Sequence, residues 1–152
     1  MQEPFHHVVP ANAPRSRVSL SQAELEAWGT SFGRAMMPPL VVTIAGDLGA
    51  GKTTLVQAMC RGYGVAAAVT SPTFALVHRY DGLLSPVYHL DLFRLQRSDE
   101  LTNLGWEDLL GEHAIMLVEW PERAGGRMPA AHVPLELEHH PTDPQRRILL
   151  AG

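Results

Sequence analysis

The segment that most constrains this chain is a glycine-rich turn between an apolar run and a helical pattern. Residues 40–45 read LVVTIA, a run typical of a strand buried on both faces of a parallel sheet. The next eight residues, GDLGAGKT from Gly46 to Thr53, fit the spacing G-x-x-x-x-G-K-[ST]. Residues 52–61 then predict a helix that ends near Gly62. This succession of strand, loop and helix predicts an α/β fold whose loop surrounds an anion.

The chemistry of the loop predicts a nucleotide phosphate site that contains Mg²⁺. Lys52 is the only lysine of the chain, and its slender ammonium suits a tight ring of backbone N–H groups better than a planar guanidinium. Guanine-specific sites usually carry an N/T-K-x-D motif, which needs a second lysine, so ATP is favoured over GTP. The Thr53 hydroxyl is a predicted Mg²⁺ ligand. The predicted phosphate-binding residues are Asp47, Leu48, Gly49, Ala50, Gly51, Lys52, Thr53 and Thr54.

Two acids stand at the ends of predicted strands, where a Mg-nucleotide site recruits a carboxylate. Asp91 follows VYHL and Glu119 follows AIMLV. Either could hold Mg²⁺ directly or through water, and Glu119 could orient or deprotonate an attacking water; the spacing does not rank them. Trp120 follows Glu119, and on general grounds packing is the more frequent role for an aromatic there. Residues 71–74 (SPTF) fit a phosphate-sensing switch or a simple proline turn equally well.

The remaining patterns extend the α/β prediction over one domain, residues 17–152, after a loose proline-containing tail over residues 1–16. The turn Asp81-Gly82 predicts an antiparallel hairpin. Arg146 or Arg147 could approach a nucleotide base, although solvated charges are favoured. The predicted helices are 22–37 and 98–110, the predicted strands are 73–80, 86–92, 114–118, 133–139 and 147–150, and residues 122–128 are a loop or short helix.

Composition limits the classes of function. The net charge of -4 gives no basic surface on average, which disfavours direct binding of nucleic acid. A lone cysteine, Cys60, excludes a disulfide within the chain and is interpreted as a buried hydrophobe. The eight histidines show no metal-binding spacing and are interpreted as scattered surface residues. Without a membrane-length apolar run or a secretory pattern, a cytoplasmic location is predicted.

Four motifs in order, GDLGAGKTT, SPTFALVHRY, HLDLFRL and VEWPER, resemble the TsaE (YjeE) family over roughly residues 19–150. The resemblance implies a P-loop NTPase-like, three-layer α/β fold with a mostly parallel sheet plus antiparallel strands. It also implies a weak Mg-dependent ATPase that acts with the TsaB–TsaD pair in threonylcarbamoyladenosine modification of tRNA, and that meets tRNA only through that complex.

Carried onto this sequence, the resemblance makes Asp91 and Glu119 the metal and catalytic acids. It also makes Trp120 functional and puts Thr73 in a switch-like segment. Phe93 departs from the family, which usually has tyrosine there, so any role of that hydroxyl is absent or supplied elsewhere. Two other hypotheses stay open: a small-molecule kinase, for which Arg94 and Arg97 could serve as a lid, and a nucleotide-gated binding module with negligible turnover.

Overall fold

A computed structural model describes residues 16–72 and 76–151, and the described strands form one seven-stranded sheet of order β1-β7-β6-β2-β5-β4-β3. The four central strands, β6, β2, β5 and β4, run parallel to one another. On one side β7 is antiparallel to β6 and β1 to β7, and on the other β3 is antiparallel to β4. The α/β prediction is therefore confirmed, with the parallel strands at the centre of the sheet and the antiparallel strands outside.

The elements follow the chain in the order β1-α1-β2-α2-β3-β4-α3-α4-β5-β6-β7, with a 3₁₀ helix after β5. The strands are β1 Ser16–Ser21, β2 Leu40–Gly46, β3 Val77–Asp81, β4 Pro86–Asp91, β5 Ile115–Glu119, β6 Val133–His139 and β7 Arg146–Ala151. The helices are α1 Gln22–Ala35, α2 Lys52–Gly62, α3 Glu100–Asn103 and α4 Trp106–Leu110, and the 3₁₀ helix is Pro121–Arg127.

Apolar layers cover both faces of the sheet because side chains alternate along its strands. In β5, Ile115 and Leu117 pack into a core that contains residues of α1 and α2. Met116 and Val118 pack into a second core with Leu101 of α3 and other residues beyond the sheet. Helix, sheet and helix thus form the predicted three layers.

Glycines let α1 and α2 approach each other closely. A β-carbon at Gly33 would lie 2.0 Å from the Met59 carbonyl oxygen, and one at Gly62 would lie 2.1 Å from the Thr30 carbonyl oxygen. Neither position therefore accepts a larger side chain without a shift of backbone. Ser21 caps α1, since its side chain accepts from the Glu24 N–H while the Glu24 carboxylate accepts from the Ser21 N–H.

Outside the strand ends at the loop, the structure differs from the sequence prediction as follows. Residues 16–21 form a strand, β1, which is absent from the predicted strands. The predicted helix 98–110 is two short helices, because Gly105 has a left-handed backbone with φ 78°. Arg146 and Arg147 are not simply solvated: the guanidinium of Arg146 donates a hydrogen bond to the Ser19 hydroxyl, and that of Arg147 donates one to the Ala50 carbonyl oxygen. Apart from Ser16, the predicted tail lies outside the described residues, as do residues 73–75.

Candidate functional site

The glycine-rich loop leaves β2 at Gly46 and enters α2 at Lys52. Three of its glycines have positive φ: Gly46 at 148°, Gly49 at 75° and Gly51 at 102°. A β-carbon at Gly46 would also lie 2.5 Å from the Leu137 carbonyl oxygen on β6. The glycines are thus required both by the turn and by the close approach of β6. The loop and the first turn of α2 form a cradle of the shape that binds phosphate.

Lys52 lies inside this cradle and is only 6% exposed. Its Nζ donates to the carbonyl oxygens of Gly46 at 2.6 Å and Asp47 at 2.7 Å. Burial lowers the pKa of the ammonium, and the negative charge of Glu119 and of Asp91 opposes that shift. The lysine therefore bonds to its own loop while it faces the two acids across the site.

Asp91 and Glu119 end adjacent parallel strands and are register partners of β4 and β5. Glu119 is 3% exposed. The Asp91 carboxylate accepts from the Phe93 N–H at 3.0 Å. Burial raises the pKa of Asp91 above its usual range, and the nearby Glu119 raises it further, while the Phe93 N–H acts in the opposite direction. Two carboxylates are thus brought together opposite Lys52.

His89 contradicts the interpretation of the histidines as scattered surface residues. It is fully buried in β4, and its Nε2 lies 2.6 Å from Oε2 of Glu119. The sequence held a signal of this, since residues 86–92 form a continuous predicted strand with His89 in its middle. A histidine inside a buried strand has to bond to a polar partner from the next strand.

Trp120 closes one side of the site. Its ring centroid lies 4.5 Å from Nζ of Lys52 and 4.9 Å from the ring centroid of Phe93. The first contact is a cation–π interaction. Trp120 has a left-handed backbone, with φ 57° and ψ 52°, which costs a residue other than glycine about 1–3 kcal/mol. The chain turns sharply here, immediately after Glu119.

Thr53 follows Lys52 in the first turn of α2, and both residues line the same cavity. Its hydroxyl lies 2.8 Å from the hydroxyl of Ser71. Ser71 thereby connects the start of α2 to the segment that contains SPTF. Thr73 of that segment lies outside the described residues, so its predicted switch-like position stays a prediction.

Two cavities flank the loop. One, of about 380 Å³, gathers predicted site residues from the loop and both strand ends, including Lys52, Thr53, Asp91, Glu119 and Trp120, together with Ser71 and Phe93. The other, of about 450 Å³, lies between the loop, the start of α1 and the β6–β7 turn, and its lining includes Gln22, Thr54, Gln145 and Arg147. Gly49 and Gly51 line both cavities.

Arg147 supports the loop from the second cavity. Its guanidinium donates to the carbonyl oxygens of Ala50 at 3.2 Å, Gly49 at 3.3 Å and Pro144 at 3.0 Å. Sequence patterns gave no signal of this role, because β7 and the loop are about 100 residues apart in the chain. Asp47, Leu48 and Ala50 lie in the loop as predicted, and Leu48 is 66% exposed at its tip.

The oxygen groups of the first cavity fit Mg²⁺. The Thr53 hydroxyl and the carboxylates of Asp91 and Glu119 line it, and hydroxyl and carboxylate oxygens are the ligands Mg²⁺ prefers. Over residues 16–72 and 76–151 there is no cluster of three or more His, Cys, Asp or Glu side chains that could hold a metal. One hydroxyl and two carboxylates are the kind of ligand set with which proteins hold a Mg²⁺ that also binds substrate phosphates. No helix in the described ranges is long and apolar enough to cross a membrane.

Comparisons with known proteins agree with the motifs. The family model described as Threonylcarbamoyl adenosine biosynthesis protein TsaE matches residues 19–148. A TsaE protein of Haemophilus influenzae is 39% identical over 101 residues, which cover 66% of this chain and 64% of that protein. A TsaE protein of Treponema pallidum is 34% identical over 120 residues, 79% of this chain and 88% of that one.

The fold has a solved counterpart in the crystal structure of Bacillus subtilis YdiB. The two match with a TM-score of 0.71 and 24% identity, over 93% of this chain and 88% of that one. This likeness supports the P-loop NTPase-like fold. From the family model and the relatives together, the chain belongs to the TsaE family of threonylcarbamoyl adenosine biosynthesis proteins.

Proposed function

We propose that the chain is a Mg-dependent ATPase that supports threonylcarbamoyladenosine modification of tRNA as a partner of the TsaB–TsaD pair in the cytoplasm. The observation that carries the proposal is the convergence of Lys52, Thr53, Asp91 and Glu119 on one cavity beside a glycine-rich loop. A binding loop alone would explain Lys52 but would not require two acids at the far wall.

Each residue would have a distinct part in hydrolysis. The backbone N–H groups of residues 47–54 would hold the phosphates, and Lys52 would leave the carbonyls of Gly46 and Asp47 to neutralise the β- and γ-phosphates. Thr53 and one of the acids would hold Mg²⁺, which when bound neutralises charge on the phosphate oxygens. Glu119 would accept a proton from, or orient, the attacking water.

The base and ribose would occupy the second cavity. Its volume of about 450 Å³ is in the range of small-molecule sites, and it adjoins the loop through Gly49 and Gly51. Arg147 lines the cavity proposed for the base. There it would hold the loop in place through its hydrogen bonds to the carbonyl oxygens of Gly49 and Ala50, in addition to supplying positive charge. This arrangement would leave the phosphates between the two cavities.

The partner proposal rests on the family and on charge. A chain with net charge -4 and no basic excess suits a component that acts through proteins while others hold the tRNA. A kinase remains the competing enzyme class, and it would transfer phosphate to an added acceptor instead of to water.

Glu119→Gln tests the ATPase directly. The variant should bind MgATP within a few-fold of the wild type and should lose phosphate release, measured by calorimetry and by a phosphate assay without any acceptor. The control is Glu112→Gln, an exposed acid before β5, which should leave phosphate release unchanged. Wild-type phosphate release from Glu119→Gln would refute the assignment of the acid.

A further inference from the structure

A buried histidine stands behind the proposed catalytic acid. His89 is 0% exposed and Glu119 is 3% exposed, and Nε2 of the first lies 2.6 Å from Oε2 of the second. The two residues come from neighbouring strands: Glu119 ends β5 as the register partner of Asp91, and His89 lies two residues before the end of β4. The contact therefore joins the two strand ends that form the wall of the first cavity.

The hydrogen bond has one favoured direction. Nδ1 of His89 is buried and has no partner among the described residues. With the ring proton on Nδ1, a buried donor would have no acceptor, and the bare Nε2 would face a carboxylate oxygen at 2.6 Å with no proton between them. The ring proton therefore belongs on Nε2, and His89 donates to the Glu119 carboxylate.

This donation leaves the other carboxylate oxygen available. The bond to His89 engages Oε2 of Glu119, and Glu119 lines the first cavity. A carboxylate on a flexible side chain could otherwise turn toward Lys52, which faces the acids across the site. Holding one oxygen fixes the direction of the other.

We propose that His89 is a positioning residue that holds Glu119 by Nε2–H donation, so that its second oxygen faces the reacting phosphate or water. The inference rests on the proposed function, because it gives Glu119 a catalytic part. His89 itself would touch neither nucleotide nor metal. Its loss should therefore lower kcat and leave the affinity for ATP nearly unchanged.

Three substitutions test the geometry. His89→Gln places an amide N–H near the position of Nε2–H, His89→Asn is polar but too short to reach it, and His89→Leu is apolar. We expect kcat for ATP hydrolysis to fall by about 100-fold in His89→Leu and His89→Asn, and to stay within several-fold of wild type in His89→Gln. KM should change little in all three.

A matched control and a double substitution distinguish an effect of His89 that passes through Glu119 from a general effect of replacing a histidine. His113→Leu, at an exposed histidine before β5, should retain wild-type kcat. In a Glu119→Gln background, His89→Leu should cause no further loss in single-turnover hydrolysis, because its effect passes through Glu119. If His89→Leu fails to fold in a urea titration, the comparison of His89→Gln with His89→Asn still decides.

Equal kcat in His89→Gln and His89→Asn, or an undiminished effect of His89→Leu in the Glu119→Gln background, would overturn the positioning role. A different result would signal failure of the proposed function: wild-type hydrolysis by Glu119→Gln alone. The two failures are therefore distinguishable in one set of variants.

Discussion

The ammonium of Lys52 lies 4.5 Å from the ring centroid of Trp120 while it donates to two carbonyls of its own loop. A cation that is buried needs such partners, because few water molecules reach it. Phosphate would offer Lys52 a stronger partner than either a carbonyl or a ring. We therefore expect nucleotide binding to move Lys52 away from Trp120.

Lys52→Arg should lower the affinity for MgATP by at least about tenfold, or about 1.4 kcal/mol. A planar guanidinium is bulkier than an ammonium, and the position is only 6% exposed. Calorimetric titration measures the effect. The matched control is the reverse exchange, Arg61→Lys, at an exposed position of the same helix. Wild-type affinity in Lys52→Arg would contradict the tight cradle.

Trp120 should report nucleotide binding through its fluorescence. The chain has three tryptophans, and in the described structure Trp120 is the one whose ring faces a lysine ammonium. Displacement of that charge should change its emission when MgATP is added. Trp120→Phe should lose the change while Trp28 and Trp106 still fluoresce. The same change in wild type and Trp120→Phe would show that the signal comes from elsewhere.

Cys60 should resist thiol reagents in the folded protein. Burial raises the pKa of its thiol to about 12, so at pH 8 only about one molecule in 10⁴ carries the reactive thiolate. Its rate of reaction with a disulfide reagent should rise steeply in urea, where the thiol is exposed. Rapid labelling without denaturant would contradict its burial.

Gly33→Ala should destabilise the protein by about 1–3 kcal/mol. The added methyl would lie 2.0 Å from the Met59 carbonyl oxygen, so α1 and α2 would have to move apart. Urea unfolding measures the loss. The control is Gly126→Ala, where an added β-carbon meets nothing within 4 Å. Equal midpoints for the two variants would refute the close packing of the helices.

Local sequence patterns predicted those parts of the fold whose structure is determined by residues close together in the chain. The run 40–45, the loop spacing and the turn Asp81-Gly82 correspond to β2, the cradle and the β3–β4 hairpin. The sequence did not predict β1, because its six residues pair only with β7 at the other end of the chain. The left-handed backbone of Gly105, which divides the helical pattern over 98–110, was also not predicted.

The candidate site was only partly predictable for the same reason. Asp91 and Glu119 could be expected together because parallel strands end at one edge of a sheet. The contacts of His89 with Glu119 and of Arg147 with the loop depend on tertiary packing. Sequence spacing contains no measure of that packing: the position of His89 inside a predicted strand indicates burial, but it does not identify Glu119 as the partner.

The proposed role in tRNA modification can be measured as multiple-turnover modification by purified TsaB and TsaD, with substrates in excess and this chain added. We expect repeated rounds of threonylcarbamoyladenosine formation with the wild-type chain. We expect no increase over the pair alone with Glu119→Gln, although that variant still binds ATP. Equal stimulation by the wild type and Glu119→Gln, or no stimulation by either, would contradict the proposal that ATP hydrolysis by this chain supports tRNA modification.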